Sequence, residues 1–106
     1  MKDDTLYIIH IRECIDRIQA YTEGIDQNQF LASSLLQDAV LRNLQVLAES
    51  TQRLSDEFKT QHEEIEWHKI SGLRNILVHD YLGIDIETVW MIIQNELSML
   101  KGAVEK

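Results

Sequence analysis

The chain has 106 residues, of which 44% are hydrophobic and 26% charged, and its formal net charge is −8. This length fits one domain, residues 1–106, that buries roughly two-thirds of the surface its unfolded chain exposes. The negative charge argues against non-specific binding to DNA or RNA, because a basic surface supplies most of that affinity. We expect a cytoplasmic protein, since no stretch approaches the ~18 apolar residues of a membrane span and the charged N-terminal segment lacks a signal-peptide core.

Helices dominate the predicted structure, because proline is absent and glycine occurs only four times. The first helix is predicted from about Asp4 to Tyr21, where isoleucines recur at spacings of three and four residues. Gly24 follows its end, as glycine often does after a helix. The single cysteine, Cys14, lies within this helix, and we interpret it as a buried or half-buried structural thiol.

A second, leucine-rich helix is predicted from about Asn28 to Phe58. Its ~30 residues would extend roughly 45 Å, and we expect a kink or break near Ser33 and Ser34. The polar residues from Ser55 to Glu64 are predicted to be the least ordered part of the chain.

Two more helices are predicted, from about Glu66 to Asp80 and from about Asp85 to Lys101. Gly83 lies between them, and Asp85 is a good N-cap residue for the second. The sequence contains no internal repeat, low-complexity tract or linker. We therefore predict an all-α fold, an antiparallel up-down bundle of four main helices.

The stretch from Ser71 to Trp90 concentrates residues suited to chemistry. Arg74 offers a permanently charged fork of donors for phosphate, His79 can take or give a proton near neutral pH, and Tyr81 adds a hydroxyl. Together they could cleave RNA without a metal. One group would deprotonate the ribose 2′-hydroxyl, and a cation would stabilise the charge that builds on the phosphoryl oxygens.

The R-x4-H-x-Y arrangement of Arg74, His79 and Tyr81 resembles the motif of the HepT-like family in the HEPN superfamily. Asn75 occupies the polar position after the arginine. The segments DAVLRNLQVLAESTQRLS (38–55) and GIDIETVW (83–90) are similar to the sequences that flank the motif in that family. The resemblance covers most of residues 38–100.

This resemblance implies a HEPN-like homodimer whose two motifs face one another across a cleft, and a toxin that acts as a metal-independent endoribonuclease. Arg74 and His79 would be catalytic, and Asn75 and Tyr81 would position the substrate, a transfer or messenger RNA. The implied partner is an MntA-like nucleotidyltransferase antitoxin, which would neutralise the toxin by adding AMP to Tyr81. We expect no cofactor.

Helical geometry complicates this site, because Arg74 and His79 would lie about 140° apart on a straight helix. Either the helix loosens between Val78 and Leu82, just before Gly83, or the site is shared between two chains. We expect the dimer to contribute, because Arg74 lies at the edge of an apolar stripe and so suits the edge of an interface.

Simpler structural roles are open for several residues. Arg74 could pair with Asp38 or Glu49 on the second helix. Arg42 and Asn43 are predicted to face inward on that helix, where they would either support the catalytic residues from behind or make interhelical hydrogen bonds.

The remaining histidines and tryptophans are assigned structural roles. His62 and Glu66 stand four residues apart and His68 is near, but no complete ligand set follows, so we predict no metal site. Trp67 and Trp90 are interpreted as core or interface anchors rather than platforms for stacking bases.

A second hypothesis treats the chain as a non-catalytic helical dimer that binds and regulates a minimal nucleotidyltransferase and presents Tyr81 for modification. The net charge of −8 fits this role better than RNA binding. An RNA-cleaving site would need a locally basic cleft, for which Lys69 and Arg74 offer a small patch that a second chain would complete.

Overall fold

A computed structural model, which describes residues 4–79 and 83–105, consists of helices joined by short connections. The helices are α1 (Thr5–Thr22), α2 (Gln27–Leu31), α3 (Ser34–Gln52), α4 (Asp56–Gln61), α5 (Trp67–His79), α6 (Ile86–Asn95) and α7 (Leu97–Val104). No strand occurs within the described residues, so the predicted all-α fold is confirmed. None of the described helices is long and apolar enough to cross a membrane.

The two longest helices, α1 and α3, form the central pair of the bundle. They run antiparallel, because Asp4 at the start of α1 is hydrogen-bonded to Ser55, which follows the end of α3. α5 packs on α3, whereas α6 contacts α2 and α7, and α7 returns to α1. The four main helices of the predicted bundle are therefore α1, α3, α5 and the α6–α7 pair.

The core is aliphatic, and α1 supplies one stripe of it. Ile11, Ile15 and Ile18 are fully buried at the spacing expected for one helix face. Burying each such side chain stabilises the fold by roughly 1.5–3 kcal/mol. Cys14 is buried beside this stripe, which confirms its interpretation. Other fully buried side chains are Phe30, Val40, Leu44, Leu47, Leu54 and Val89.

Two serine caps divide the predicted second helix into three helices. The hydroxyl of Ser33 accepts from the backbone N–H of Leu36 (3.1 Å) at the start of α3, which confirms the expected break. The hydroxyl of Ser55 accepts from the N–H of Phe58 (3.1 Å) at the start of α4. The prediction of a continuous helix to Phe58 is therefore wrong. The polar segment after Ser55 instead forms α4, because a serine cap and acidic first-turn residues stabilise a helix start.

The predicted fourth helix is interrupted at Glu96, where α6 ends and α7 begins. Its start is as predicted: the carboxylate of Asp85 accepts from the N–H of Glu87 (3.1 Å) and from the hydroxyl of Thr88 (2.9 Å). The break allows α7 to pack on α1 as a separate helix.

The C-terminal half of α1 is fixed by a polar contact and followed by a tight corner. Lys101 Nζ on α7 donates to Gln19 Oε1 (3.0 Å) and lies 3.8 Å from Asp16 Oδ1. Gly24 has a φ of +76°, a left-handed conformation that favours glycine. This residue turns the chain from α1 toward α2, in agreement with its predicted place after the helix.

Candidate active site

Helix α5 carries the candidate catalytic residues, and its first residue, Trp67, anchors it to α4. The indole N–H of Trp67 donates to the carbonyl oxygens of both Lys59 and His62, 3.2 Å from each. These carbonyls lie at the end of α4 and each also accepts a backbone N–H, Lys59 from His62 (3.2 Å) and His62 from Ile65 (3.1 Å), so the indole is a second donor to both. The Trp67 ring also meets Phe58 edge-on, with ring centroids 6.2 Å apart. Trp67 is therefore a structural anchor, as predicted.

Arg74 lies one turn before the buried Leu77 of α5 and is itself half-buried. Its Nε is buried without a hydrogen-bond partner among the described residues, and Nη1 reaches only Asn75 Oδ1, at 3.5 Å. Arg74 takes part in none of the ion pairs within the described residues, and Glu49 instead accepts from the Gln45 amide (3.4 Å). A buried donor without a partner costs about 1–3 kcal/mol. Because Nε is buried, it is the terminal Nη atoms of this half-buried side chain that could meet an acceptor from outside the chain.

His79 is the last residue of α5 and is exposed. The helix is α-helical from Trp67 to His79, so His79 keeps the separation of about 140° from Arg74 that a straight helix imposes. A loosened end of α5 was one of the two explanations offered for the separated motif residues. The helix is still regular at His79, so this loosening is not seen there. Tyr81, the predicted modification and substrate-positioning residue, lies outside the described residues.

The polar residues predicted to support the site differ in their burial and hydrogen bonding. Asn75 is exposed beside Arg74. Arg42 is exposed, so its predicted inward orientation is wrong: it lies on the solvent side of α3, away from the buried leucines. Asn43 is half-buried, but its amide donates to the carbonyl of Ala39 in the same helix (2.9 Å) rather than between helices. The supporting role of Arg42 and Asn43 stays a prediction.

His62 belongs to the corner between α4 and α5. Its ring packs on Phe58 at a tilt of 39° with centroids 4.6 Å apart, and its Nδ1 lies 3.4 Å from Glu64 Oε1. Across residues 4–79 and 83–105, no group of three or more His, Cys, Asp or Glu is arranged to hold a metal ion. The aromatic contact gives His62 a packing role at this corner.

The predicted basic patch is weaker than the sequence suggested. Lys69 Nζ lies 3.0 Å from Glu66 Oε1 one turn earlier, and this hydrogen bond and the carboxylate's charge raise the pKa of Lys69. The positive charge of Lys69 is therefore partly offset by a neighbouring carboxylate, in an ion pair exposed to solvent. Arg74, which is half-buried, is the arginine of this helix and the other basic residue of the predicted patch.

An apolar groove opens between α5 and α6, because α5 packs on α3 while α6 packs on α2 and α7. We call it the α5–α6 groove; its volume is about 430 Å³. Ile76 in its wall is 45% exposed, and the adjoining Met99 is 46% exposed. The groove is lined by Lys69, Ile70, Gly72, Leu73, Ile76, Thr88, Ile92 and Glu96. An unpartnered apolar surface therefore lies next to the helix that carries the motif.

Residues 11–106 match the family model described as ribonuclease HepT-like. A probable ribonuclease HepT of Thermococcus cleftensis is 33% identical over 100 residues, covering 94% of this chain and 91% of the relative. The mRNA nuclease HepT of Shewanella oneidensis is 32% identical, covering 85% of this chain and 84% of that protein. A gamma-glutamylcyclotransferase and putative RNase of Methanocaldococcus jannaschii is 32% identical over 99% of this chain, which spans 47% of that longer protein.

Two solved structures share the architecture. One is a tri-AMPylated Shewanella oneidensis HEPN toxin in complex with an MNT antitoxin, with a TM-score of 0.71, 31% identity and coverage of 99% of this chain and 96% of that chain. The other is a tyrosine-to-alanine mutant of the toxin–antitoxin pair MntA and HepT, with a TM-score of 0.72, 29% identity and coverage of 97% and 96%. The helical fold, the motif on α5 and these matches together show that the chain belongs to the HepT-like family of ribonucleases and has the fold of the HEPN toxins.

Proposed function

We propose that this chain is a metal-independent endoribonuclease and the toxin of a toxin–antitoxin pair. The observation that carries the proposal is that one helix holds both Arg74 and the exposed His79. The buried Nε of Arg74 has no partner among the described residues. Arg74 supplies a donor for a phosphate oxygen, and His79 supplies a proton acceptor that solvent and substrate can reach. The relatives named as ribonucleases support this activity.

The reaction is an internal transesterification of RNA. His79 takes the proton of the ribose 2′-hydroxyl, the 2′-oxygen attacks phosphorus, and the bond from phosphorus to the 5′-oxygen breaks. The leaving 5′-oxygen gains a proton, so the products are a 2′,3′-cyclic phosphate and a 5′-hydroxyl. Arg74 stabilises the charge on the phosphoryl oxygens, and Asn75 and Tyr81 position the substrate. The name of the mRNA nuclease among the relatives favours messenger RNA over transfer RNA.

A homodimer would complete this site. Arg74 and His79 lie on different faces of a regular helix, so one chain does not direct both side chains at one phosphate. A second copy that brings its α5 against the first would place the motifs of the two chains side by side. It would also double the number of cations near the substrate of an otherwise acidic protein.

A nucleotidyltransferase antitoxin of the MntA kind would neutralise the toxin by adding AMP to Tyr81. The phenolic oxygen of Tyr81 loses its proton and bonds to the α-phosphorus of ATP, and the bond from that phosphorus to pyrophosphate breaks as pyrophosphate leaves. The added nucleotide would bring negative charge and bulk within two residues of His79 and so hinder RNA binding. The solved complex of an AMPylated HEPN toxin with an MNT antitoxin supports this regulation. We place both proteins in the cytoplasm.

The alternative is a non-catalytic dimer that only binds and regulates the nucleotidyltransferase. The net charge of −8 and the pairing of Lys69 with Glu66 favour it, since both weaken attraction for RNA. The two functions differ in one respect that can be measured. The enzyme requires Arg74 and His79 for toxicity, whereas the regulator requires neither.

The test compares wild-type protein with His79→Ala, Arg74→Ala and, as a matched control, His10→Ala, which removes an exposed histidine of α1. Each is expressed in a bacterial host without antitoxin, and each purified protein is incubated with RNA in the presence of EDTA. We expect His79→Ala to lower the cleavage rate by roughly 10²–10⁴-fold and to relieve growth arrest, with His10→Ala unchanged. A His79→Ala protein as toxic as the wild type would contradict the enzyme.

A further inference from the structure

Arg42 is an exposed arginine near the middle of α3 that takes part in none of the ion pairs within the described residues. It lies two residues before the buried Leu44, which places the two side chains about 160° apart around the helix. Burial raises the pKa of the Cys14 thiol on α1, and Arg17 and Arg42 both act against that rise. The guanidinium of Arg42 therefore lies on the outer side of α3, near the seam with α1.

Arg42 and Arg74 lie at about the same level of the bundle, on neighbouring helices. α5 begins beside α4, which follows α3, and then packs back along α3, so α3 and α5 run antiparallel. Leu44 of α3 and Leu73 of α5 line one small cavity between the helices. From these two leucines, Arg42 and Arg74 lie two residues and one residue toward the same end of the bundle. Their levels therefore differ by only about 1.5 Å, the rise of one residue.

Arg74 lies on the flank of α5 that adjoins the exposed side of α3. Leu73 and Ile76 line the α5–α6 groove, and they lie about 40° and 100° around the helix on one side of the buried Leu77. Arg74 lies about 60° around on the other side of Leu77. The axes of packed helices are about 8–10 Å apart. Arg42 and Arg74 therefore flank one seam, between α3 and α5, on the outer surface of the bundle.

We propose that Arg42 is a second phosphate-binding residue, and that RNA bound at Arg74 continues across α3 over Arg42. A strand held at one arginine meets the other within a few nucleotides, and the planar guanidinium suits a phosphate. Arg42 would hold the strand away from the phosphate that reacts, so it contributes to binding and not to the chemical step. The inference rests on the proposed ribonuclease function and adds the direction in which RNA leaves the site.

The charges around Arg42 favour this path across α3 over a path along it. Asp38 lies four residues before Arg42 and Glu49 seven residues after it, both within about 40° of Arg42 around the helix. A strand laid along α3 would bring its phosphates close to both carboxylates, which repel them. A strand that crosses α3 at the level of Arg42 passes between the two.

The first test measures RNA binding. The variants are Arg42→Ala, Arg42→Lys and a matched control, Arg53→Ala, which removes an exposed arginine at the end of α3. Each also carries His79→Ala to prevent cleavage, and a fluorescein-labelled oligouridine is titrated by fluorescence anisotropy at several salt concentrations. We expect Arg42→Ala to lower the slope of log Kd against log salt by about 0.7 and to raise Kd about fourfold near 0.15 M salt. Arg42→Lys should keep the slope, and Arg53→Ala should change neither value.

The second test measures cleavage by proteins that keep His79. Arg42→Ala should raise KM and leave kcat unchanged, because a contact made equally in the ground state and the transition state affects binding alone. Thermal unfolding checks that each variant is folded, since an exposed substitution alters stability by less than about 0.5 kcal/mol.

Three results would overturn the inference. One is a salt slope for Arg42→Ala equal to that of its parent, and another is an equal loss of binding in Arg42→Ala and Arg53→Ala, which would show a general effect of net charge. The third is a lower kcat at constant KM. A protein that shows the Arg42-dependent slope but does not cleave RNA would support the Arg42 contact and contradict the ribonuclease, so the two failures are distinguished.

Discussion

Asp4 and Ser55, which are 51 residues apart, are joined by two hydrogen bonds. The backbone N–H of Ser55 donates to Asp4 Oδ1 (2.8 Å), and the Ser55 hydroxyl donates to Asp4 Oδ2 (2.7 Å). The same hydroxyl accepts from the N–H of Phe58 and so caps α4. One carboxylate at the start of α1 therefore fixes the point at which α3 gives way to α4, and α4 in turn anchors α5 through Trp67.

Replacing Asp4 should destabilise this junction. Hydrogen bonds to a charged group contribute about 1.5–3 kcal/mol, so we expect Asp4→Ala to lower the free energy of unfolding by that amount in urea titrations. A double-mutant cycle with Ser55→Ala isolates the contact from the loss of the α4 cap. A coupling energy near zero, with additive single effects, would contradict the proposed junction.

Trp67→Phe tests whether the start of α5 affects the site. Phenylalanine keeps an aromatic ring against Phe58 but cannot donate to the carbonyls of Lys59 and His62. We expect a loss of about 1 kcal/mol of stability and slower RNA cleavage per folded molecule, since α5 carries both of the residues proposed to be catalytic. Trp90→Phe is the control, because Trp90 packs on Phe30 with centroids 5.2 Å apart, away from this corner. Equal cleavage rates for the two variants would exclude a positioning role.

Arg74→Met should separate stability from activity. The thioether side chain is similar in length and removes a buried donor that has no partner among the described residues. We expect unfolding free energy to rise by about 1 kcal/mol while RNA cleavage is lost. Arg12→Met, which changes an exposed arginine of α1, should alter stability by less than about 0.5 kcal/mol. A markedly less stable Arg74→Met protein would show that Arg74 has a structural partner.

Cys14 gives a prediction for alkaline pH. Burial raises the pKa of its thiol, against a smaller opposing effect of Arg17, so the folded state holds this proton more tightly than the unfolded state. The resulting stability is complete below about pH 8.5, the ordinary pKa of cysteine, and is lost as pH rises through the raised folded-state pKa. We expect the stability advantage of the wild type over Cys14→Ala to shrink between pH 7.5 and pH 10 in urea titrations. A constant difference would contradict this.

The sequence predicted the helices whose signals are local. The isoleucine spacing of α1, the cap at Asp85 and the serine at Ser33 each depend on neighbouring residues, and each element begins or ends where the pattern indicates. The break at Ser55 was missed because its cap is reinforced by Asp4, a residue distant in sequence. The break at Glu96 was missed because apolar spacing continues through it, and tertiary packing of α7 on α1 decides the direction of the chain.

The candidate site, like the fold, could be predicted from the sequence only in part. Family resemblance proposed Arg74, Asn75 and His79 as site residues, which stays a prediction, and helical arithmetic predicted that Arg74 and His79 would lie on separate faces, as they do on the regular α5. The orientation of Arg42 was predicted wrongly. The apolar stripe of α3 is wide, and the sequence does not indicate which edge of that stripe the neighbouring helices cover. The pairing of Lys69 with Glu66 was also missed, although a lysine three residues after a glutamate on a helix is a signal for it.

The hydrogen bond from Lys101 to Gln19 joins residues 82 positions apart. It can therefore form only late in the synthesis of the chain on the ribosome. At about 5–20 residues per second, α1 waits roughly 4–16 seconds between its own synthesis and the arrival of the lysine that holds it. During that interval its isoleucine stripe has no α7 to cover it. The nascent chain is thus structurally unfinished until almost all of α7 has emerged, so a chain truncated before Lys101 would leave the end of α1 without this contact.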